Sequence, residues 1–255
     1  MSPRRRFRAG GVRAGGVRTG GFTLVETALV LLVIGLLTRA FLAPLGESLE
    51  RRRHAEAERL LDDAHRALVG HLITRGVLPC PLPPSGGRSS DGNSGASVAG
   101  CRSGSGRLPA VALGVPGPVD ADGALLDPWG RALLYSVSLA SSDRAGARDR
   151  PDWTSEGELA AVGLAQLSAD LVLCDVAASG ACPRDALRAD AVAFVVLSRG
   201  RDDSGEGAQR ENLDGDRVHV LAPHSAVDGH RFDDTLVWAS RNELAYWLLR
   251  AGWLP

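Results

Sequence analysis

Lysine is missing: every one of the 29 basic residues in this 255-residue chain is arginine, and alanine and glycine abound. That bias reads as the mark of a GC-rich genome and carries no mechanism. Catalytic signatures are missing too. There is no G-x-S-x-G nucleophile elbow, no H-E-x-x-H metal pair and no glycine-rich phosphate loop. Asp233-Asp234 does not replace them, since adjacent residues of an extended segment face opposite ways. An enzyme is therefore not expected. No acid precedes Glu26, and no A-x-A site follows the first apolar run, where Thr38-Arg39-Ala40-Phe41-Leu42-Ala43-Pro44 stands instead. This argues against an ordinary secretory signal, cleaved after its apolar stretch, and leaves a plain single-pass anchor and a buried core helix as the other competing readings.

What is present begins with charge. Arg4, Arg5, Arg6, Arg8, Arg13 and Arg18 crowd the leader of a chain whose net charge is only -1. Positive residues stay cytoplasmic, so the bulk of the chain is expected across the membrane. A basic stretch can also bind nucleic acid, but this one abuts an apolar run, and no nucleic-acid partner is expected. The run is Thr27-Ala28-Leu29-Val30-Leu31-Leu32-Val33-Ile34-Gly35-Leu36-Leu37, preceded by Gly20-Gly21-Phe22-Thr23-Leu24-Val25-Glu26. It is short against the roughly 20 apolar residues of a span. Arg39 is expected to snorkel, and Pro44 to kink or loosen the helix. A carboxylate at Glu26 costs about 2.5 to 3.5 kcal/mol at a bilayer centre, which makes it a functional residue in need of a partner.

These residues resemble the prepilin processing signal of type IV pilins and type II secretion pseudopilins: a basic leader ending in Gly, then Phe, a small polar residue, two aliphatics and Glu. The resemblance implies cleavage between Gly21 and Phe22 by a prepilin peptidase, and methylation of the new amino terminus. It also implies that Glu26 meets the terminal amine of a neighbouring subunit at Phe22, offsetting the burial of a lone charge. Other pilins or pseudopilins are then the partners and the inner membrane the first location, with the amino terminus cytoplasmic, the remainder periplasmic, and a filament as the destination. Loop size favours a minor pilin or minor pseudopilin. The alternative is a monomeric, inner-membrane-anchored periplasmic binding protein.

Leu45, Leu49, Leu60, Leu61, Ala64, Leu68 and Leu72 recur at helical steps among charged residues, which predicts an amphipathic helix to about Thr74, stopped by Gly76. His54, His65 and His71 lie on it, and only two can share a face, which argues against zinc. Then comes a long Pro/Gly/Ser-rich loop, 79–106, carrying Cys80 and Cys101. The cysteines number four, an even count in a chain expected to face an oxidising space, which favours two disulfides. Sequence order suggests Cys80 with Cys101 and Cys174 with Cys182, although four cysteines allow three connectivities.

Asp127-Pro128-Trp129-Gly130 is turn chemistry opening a strand over 132–138, and is similar to a segment of major pseudopilins. Residues 158–175 mix helical and extended signals. Ala191–Ser198 reads as a buried strand, and Arg217–Leu221 and Thr235–Ala239 as two more. Ser240-Arg241-Asn242-Glu243 has capping-box spacing and opens a helix through Arg250, with Leu244, Trp247 and Leu248 as its buried face.

Between two of these strands, 199–216 is dense in carboxylates and glycines, the composition that wraps a hard cation. Asp202, Asp203, Asp214 and Asp216 are the candidate calcium ligands; a solvated loop balanced by Arg199, Arg201 and Arg210 is the competing reading. The similarity to major pseudopilins, which carry calcium in such a loop, adds support to the metal without displacing the solvated reading. The expected fold is α+β and pilin-like: one long amino-terminal helix, membrane-spanning in its first half, packed on an antiparallel sheet of about four strands with disulfide-stapled loops. The expected boundaries are 1–21 for the cleaved leader, 22–44 for the transmembrane and filament-core segment, 45–75 for the amphipathic periplasmic half and 76–255 for the globular domain.

Overall fold

The computed structural model describes residues 21, 23–84, 100–142, 150–177, 180–201, 207–225 and 232–254. The leader through Gly20, Phe22, and the calcium candidates Asp202 and Asp203 lie outside the described residues. The chain divides into two units, Met1–Leu49 and Glu50–Pro255.

In the first unit the described chain is the beginning of helix α1, Leu24–Arg75, which is 52 residues long and continuous through Pro44. Thr23 caps it: Glu26 N donates to Thr23 Oγ1 at 3.2 Å, satisfying one of the unpaired donors of the first turn. Leu24, Val25, Leu29, Leu31, Leu32 and Leu36 are all exposed. Among the described residues no helix is long and apolar enough to cross a membrane. The described side chains of this stretch end at Thr38, before the rest of the expected apolar segment.

The second unit is built on the remainder of α1. Ala57, Leu61, Ala64, Leu68 and Leu72 are fully buried at steps of three and four, so one face of the helix enters the core. Leu49, assigned by its spacing to the same stripe, is 56% exposed. Gly76, with φ +70°, ends the helix and its N–H donates to Leu72 O at 2.8 Å.

Among the described residues six strands form one sheet: β1 Ser105–Arg107, β2 Leu134–Val137, β3 Leu171–Cys174, β4 Leu187–Ser198, β5 Val218–Val220 and β6 Thr235–Ser240. Their order is β1-β2-β4-β3-β5, and β6 also pairs with β4. The sheet corrects the expected one on two points. It has six strands instead of about four, and it is mixed, because β3 and β5 run parallel. Short β1 carries no alternating apolar signal, and β3 lies in the stretch whose pattern is ambiguous; there a short helix α3, Glu158–Val162, precedes the strand. Helix α2, Ala110–Leu113, is a single turn between β1 and β2.

Strand β4 is the hub, and its apolar run has a physical cause. Phe194 and Val196 enter the main core with α1, whereas Val195 and Leu197 join a smaller cluster with Leu171, Leu173 and Leu236. Both faces are covered, so both alternating sets are apolar. A bulge interrupts the ladder between Val192 and Phe194, and next to it Ala191 takes φ +52°.

Helix α5, Arg241–Ala251, follows β6 directly. Ser240 caps it by accepting from Glu243 N at 3.1 Å. Its buried face is Leu244, Ala245 and Leu248; Trp247 is 37% exposed, against the expectation, since Ala245 and not Trp247 completes the inward stripe with Leu244 and Leu248. Both disulfides follow sequence order, Cys80–Cys101 and Cys174–Cys182, with Cα separations of 5.3 and 5.9 Å. Next to the first, Leu82 and Arg107 exchange two backbone hydrogen bonds of 2.8 Å, extending the sheet at β1.

Candidate functional site

Two places carry the residues singled out by the sequence. The first is the start of α1. Gly21 and Glu26 are exposed, and Thr23, between them, fixes where the helix begins. An amino terminus created at Phe22 would thus stand immediately before the cap. Glu26 lies in the first helical turn, where a carboxylate is favoured by the positive end of the helix dipole.

The second is the acidic segment after helix α4, Gly207–Glu211. One carboxylate oxygen from each of Glu211, Asp214 and Asp216 falls within 4.8 Å of the others. Asp214 and Asp216 are expected members of this group, and Glu211 is not. Its sequence signal was its place three residues before Asp214, which the end of a short helical turn brings back over the loop.

Backbone donors orient all three. Glu211 Oε1 accepts from Gly180 N at 2.8 Å, Asp214 Oδ1 from Asp216 N at 3.0 Å and Asp216 Oδ1 from Val218 N at 2.7 Å. Gly180 has φ +74°, and a Cβ there would stand 2.7 Å from Asp216 Oδ2. Only glycine lets that backbone approach the carboxylates. Burial raises the pKa of Glu211, the Gly180 N–H opposes that, and Asp214 and Asp216 add repulsion. Asp216 is raised by burial first and by Asp214 after it. Three hard oxygen donors whose charges repel fit calcium better than a soft metal, and each carboxylate holds one oxygen not engaged in these backbone contacts. The donor set is compatible with calcium, one of the two readings open for this loop, with Glu211 joining Asp214 and Asp216.

The segment is anchored from below. Asn212 is buried; its Nδ2 donates to Val220 O at 3.1 Å and Asp234 Oδ2 at 2.8 Å, and its Oδ1 accepts from Val220 N at 2.7 Å. On the other side Ser105 Oγ donates to Gly215 O at 3.0 Å. Beneath lies His219 of β5, 4% exposed, which the sequence offered only as an ordinary strand residue.

The three helix histidines do not assemble with one another. His65 Nε2 lies 3.5 Å from Glu243, and the His54 ring packs 4.9 Å from Trp129 and 5.0 Å from His224. The Asp127 turn is a packing device as well: Asp127 Oδ1 accepts from Trp129 N and Arg131 N, and the indole of Trp129 donates to Glu50 Oε1 at 2.9 Å. No family model, no curated protein and no solved structure matches the chain.

Proposed function

We propose that this chain is a non-enzymatic structural subunit of a filament of the type IV pilus or type II secretion pseudopilus kind, a minor pilin or minor pseudopilin. A prepilin peptidase cuts between Gly21 and Phe22, and the mature helix anchors the subunit in the inner membrane with its globular unit periplasmic. Assembly then packs the helix against those of neighbouring subunits, and Glu26 pairs with a neighbour's amino terminus at Phe22.

The observation that carries the reading is α1 itself. It is one unbroken helix from Leu24 to Arg75, capped by Thr23, the second residue after the proposed cleavage position, with an acid in its first turn and bare apolar side chains after it. Such a surface in water calls for a partner, lipid or protein. An acid with no ion-pair partner among the described residues fits a partner that brings an amine.

Calcium held by Glu211, Asp214 and Asp216 belongs to the same reading. There it would neutralise three carboxylates and lock the segment that joins α4 to β5. A second reading, an anchored monomeric binding protein, is favoured by one observation, a cavity between the acidic turn and the sheet.

Processing decides first. The Gly21→Val precursor, expressed with a prepilin peptidase, is expected to keep its full mass, while the unsubstituted chain loses residues 1–21. An unchanged mass for the unsubstituted chain would sink the proposal. Cysteine crosslinking near Phe22 then separates the two readings, because only a filament subunit gives ladders with partner pilins.

A further inference from the structure

The smaller apolar cluster of the sheet leaves a space under turn 212–215. It is a cavity of about 270 Å³, floored by Leu134, Val195 and Leu197 and lined on one side by His219. Among the described residues neither ring nitrogen of His219 has a hydrogen-bond partner, although the residue is only 4% exposed. Buried polar atoms are almost always paired, so a two-sided exception facing a cavity calls for a ligand-sized explanation.

The walls are held in place without a ligand. Asn212 ties one end of the roof to β5, and Ser105 ties the other to β1. A cavity fixed in this way needs little ordering on binding, which favours affinity.

Charge narrows the occupant. Arg107 and Asp214 also line the space; the Arg107 guanidinium is taken by Asp120, Asp122 and Pro83 O, so it offers little to an anion, and the Asp214 carboxylate repels one. Burial lowers the His219 pKa to about 4, against a smaller upward pull from Asp214, and the ring is neutral at neutral pH. A neutral imidazole presents one donor and one acceptor, a match for a hydroxyl, which is both. Small-molecule cavities run from about 300 to 1,000 Å³, so this one suits a ligand of about one ring.

We propose that the cavity binds a small neutral molecule whose hydroxyl pairs with His219 and whose apolar body rests on Leu134, Val195 and Leu197. The inference holds whether or not the chain enters a filament.

Phenol and toluene are the probes, titrated into the full chain in detergent micelles with ¹⁵N-labelled histidine. Phenol is expected to move the His219 ring-nitrogen resonances. His219→Leu is expected to weaken phenol binding about tenfold, the scale of one buried hydrogen bond, with toluene binding nearly unchanged. Leu197→Trp, which fills the space, should abolish the response to both while the thermal transition remains cooperative. The variants share one micelle, so probe lost to detergent cancels. His219 resonances that stay fixed up to phenol saturation overturn the proposal, as does undiminished phenol binding in Leu197→Trp. Should His219→Leu fail to fold, His219→Gln takes its place, and it is expected to retain weakened phenol binding.

Discussion

Trp253 closes over Gly76. Its indole donates through Nε1 to Ile73 O at 2.7 Å, and its Cε3 lies 2.7 Å from where a Cβ on Gly76 would stand. The residue after the long helix and a residue near the carboxyl end thus share one space, and each limits the other.

Gly76→Ala is expected to cost about 2 to 3 kcal/mol. Roughly 1 kcal/mol comes from forcing a side chain to φ +70°, and the rest from displacing an indole that also caps α1. Denaturant unfolding of the full chain in detergent measures it. A change below about 0.5 kcal/mol would mean that Trp253 can step aside freely.

Glu26→Ala separates processing from assembly. Cleavage and membrane insertion are expected to proceed, because Gly21 and the apolar run are untouched. Crosslinked ladders with partner pilins should fall away. Normal ladders would show that the acid has no part in subunit contact.

The acidic segment gives a linked pH and calcium experiment. Glu211 and Asp216 have folded pKa values above their ordinary 4.5 and 3.8, so the folded chain binds their protons more tightly than the unfolded chain does. Their contribution to stability is complete below those ordinary values and is lost as pH rises through the folded ones. At neutral pH without divalent ions they are a burden. Asp214→Asn is therefore expected to raise the melting temperature in chelator and to reduce the further rise that calcium brings. Identical calcium responses in both chains would remove Asp214 from the ligand set.

Cys80 and Cys101 close a loop whose ends are 21 residues apart. Replacing both by serine is expected to cost about 3 kcal/mol on the chain-entropy model. The comparison is made by thermal melting of oxidised protein. Cys174–Cys182, 8 residues apart, should matter less, and the reverse order would refute the loop-length argument.

Local signals were legible where one short-range force decides. Ser240 and Glu243 announce a helix start because the cap bond spans three residues, and Gly76 announces a helix end because only glycine accepts φ +70° at little cost. Strand β4 was legible because burial on both faces leaves a continuous apolar run. By contrast, β1 consists of Ser105, Gly106 and Arg107, residues without strand character that pair only because β2 and Leu82 flank them. Arg107 is buried there by Asp120 and Asp122, which no local pattern connects to it.

The acidic segment was legible in composition and not in membership. Asp214 and Asp216 are neighbours in the chain, but Glu211 joins them through the turn at the end of α4, and Gly180 through packing from a distant loop. His219 was hidden altogether, since its place between Val218 and Val220 assigns it to the face an alternating strand turns outward, whereas all three residues of β5 are buried.

The sequence by itself determined the long helix and its stop, the cap of the last helix, the turn at Asp127 and the buried strand, because short contacts set them; it suggested the cysteine pairing, which the structure settled. The tertiary structure alone decided the parallel pairing of β3 with β5, the exposure of Trp247, the meeting of three carboxylates and the enclosure of His219. Those depend on which distant segments come to rest against one another, and that is settled by the packing of the whole core.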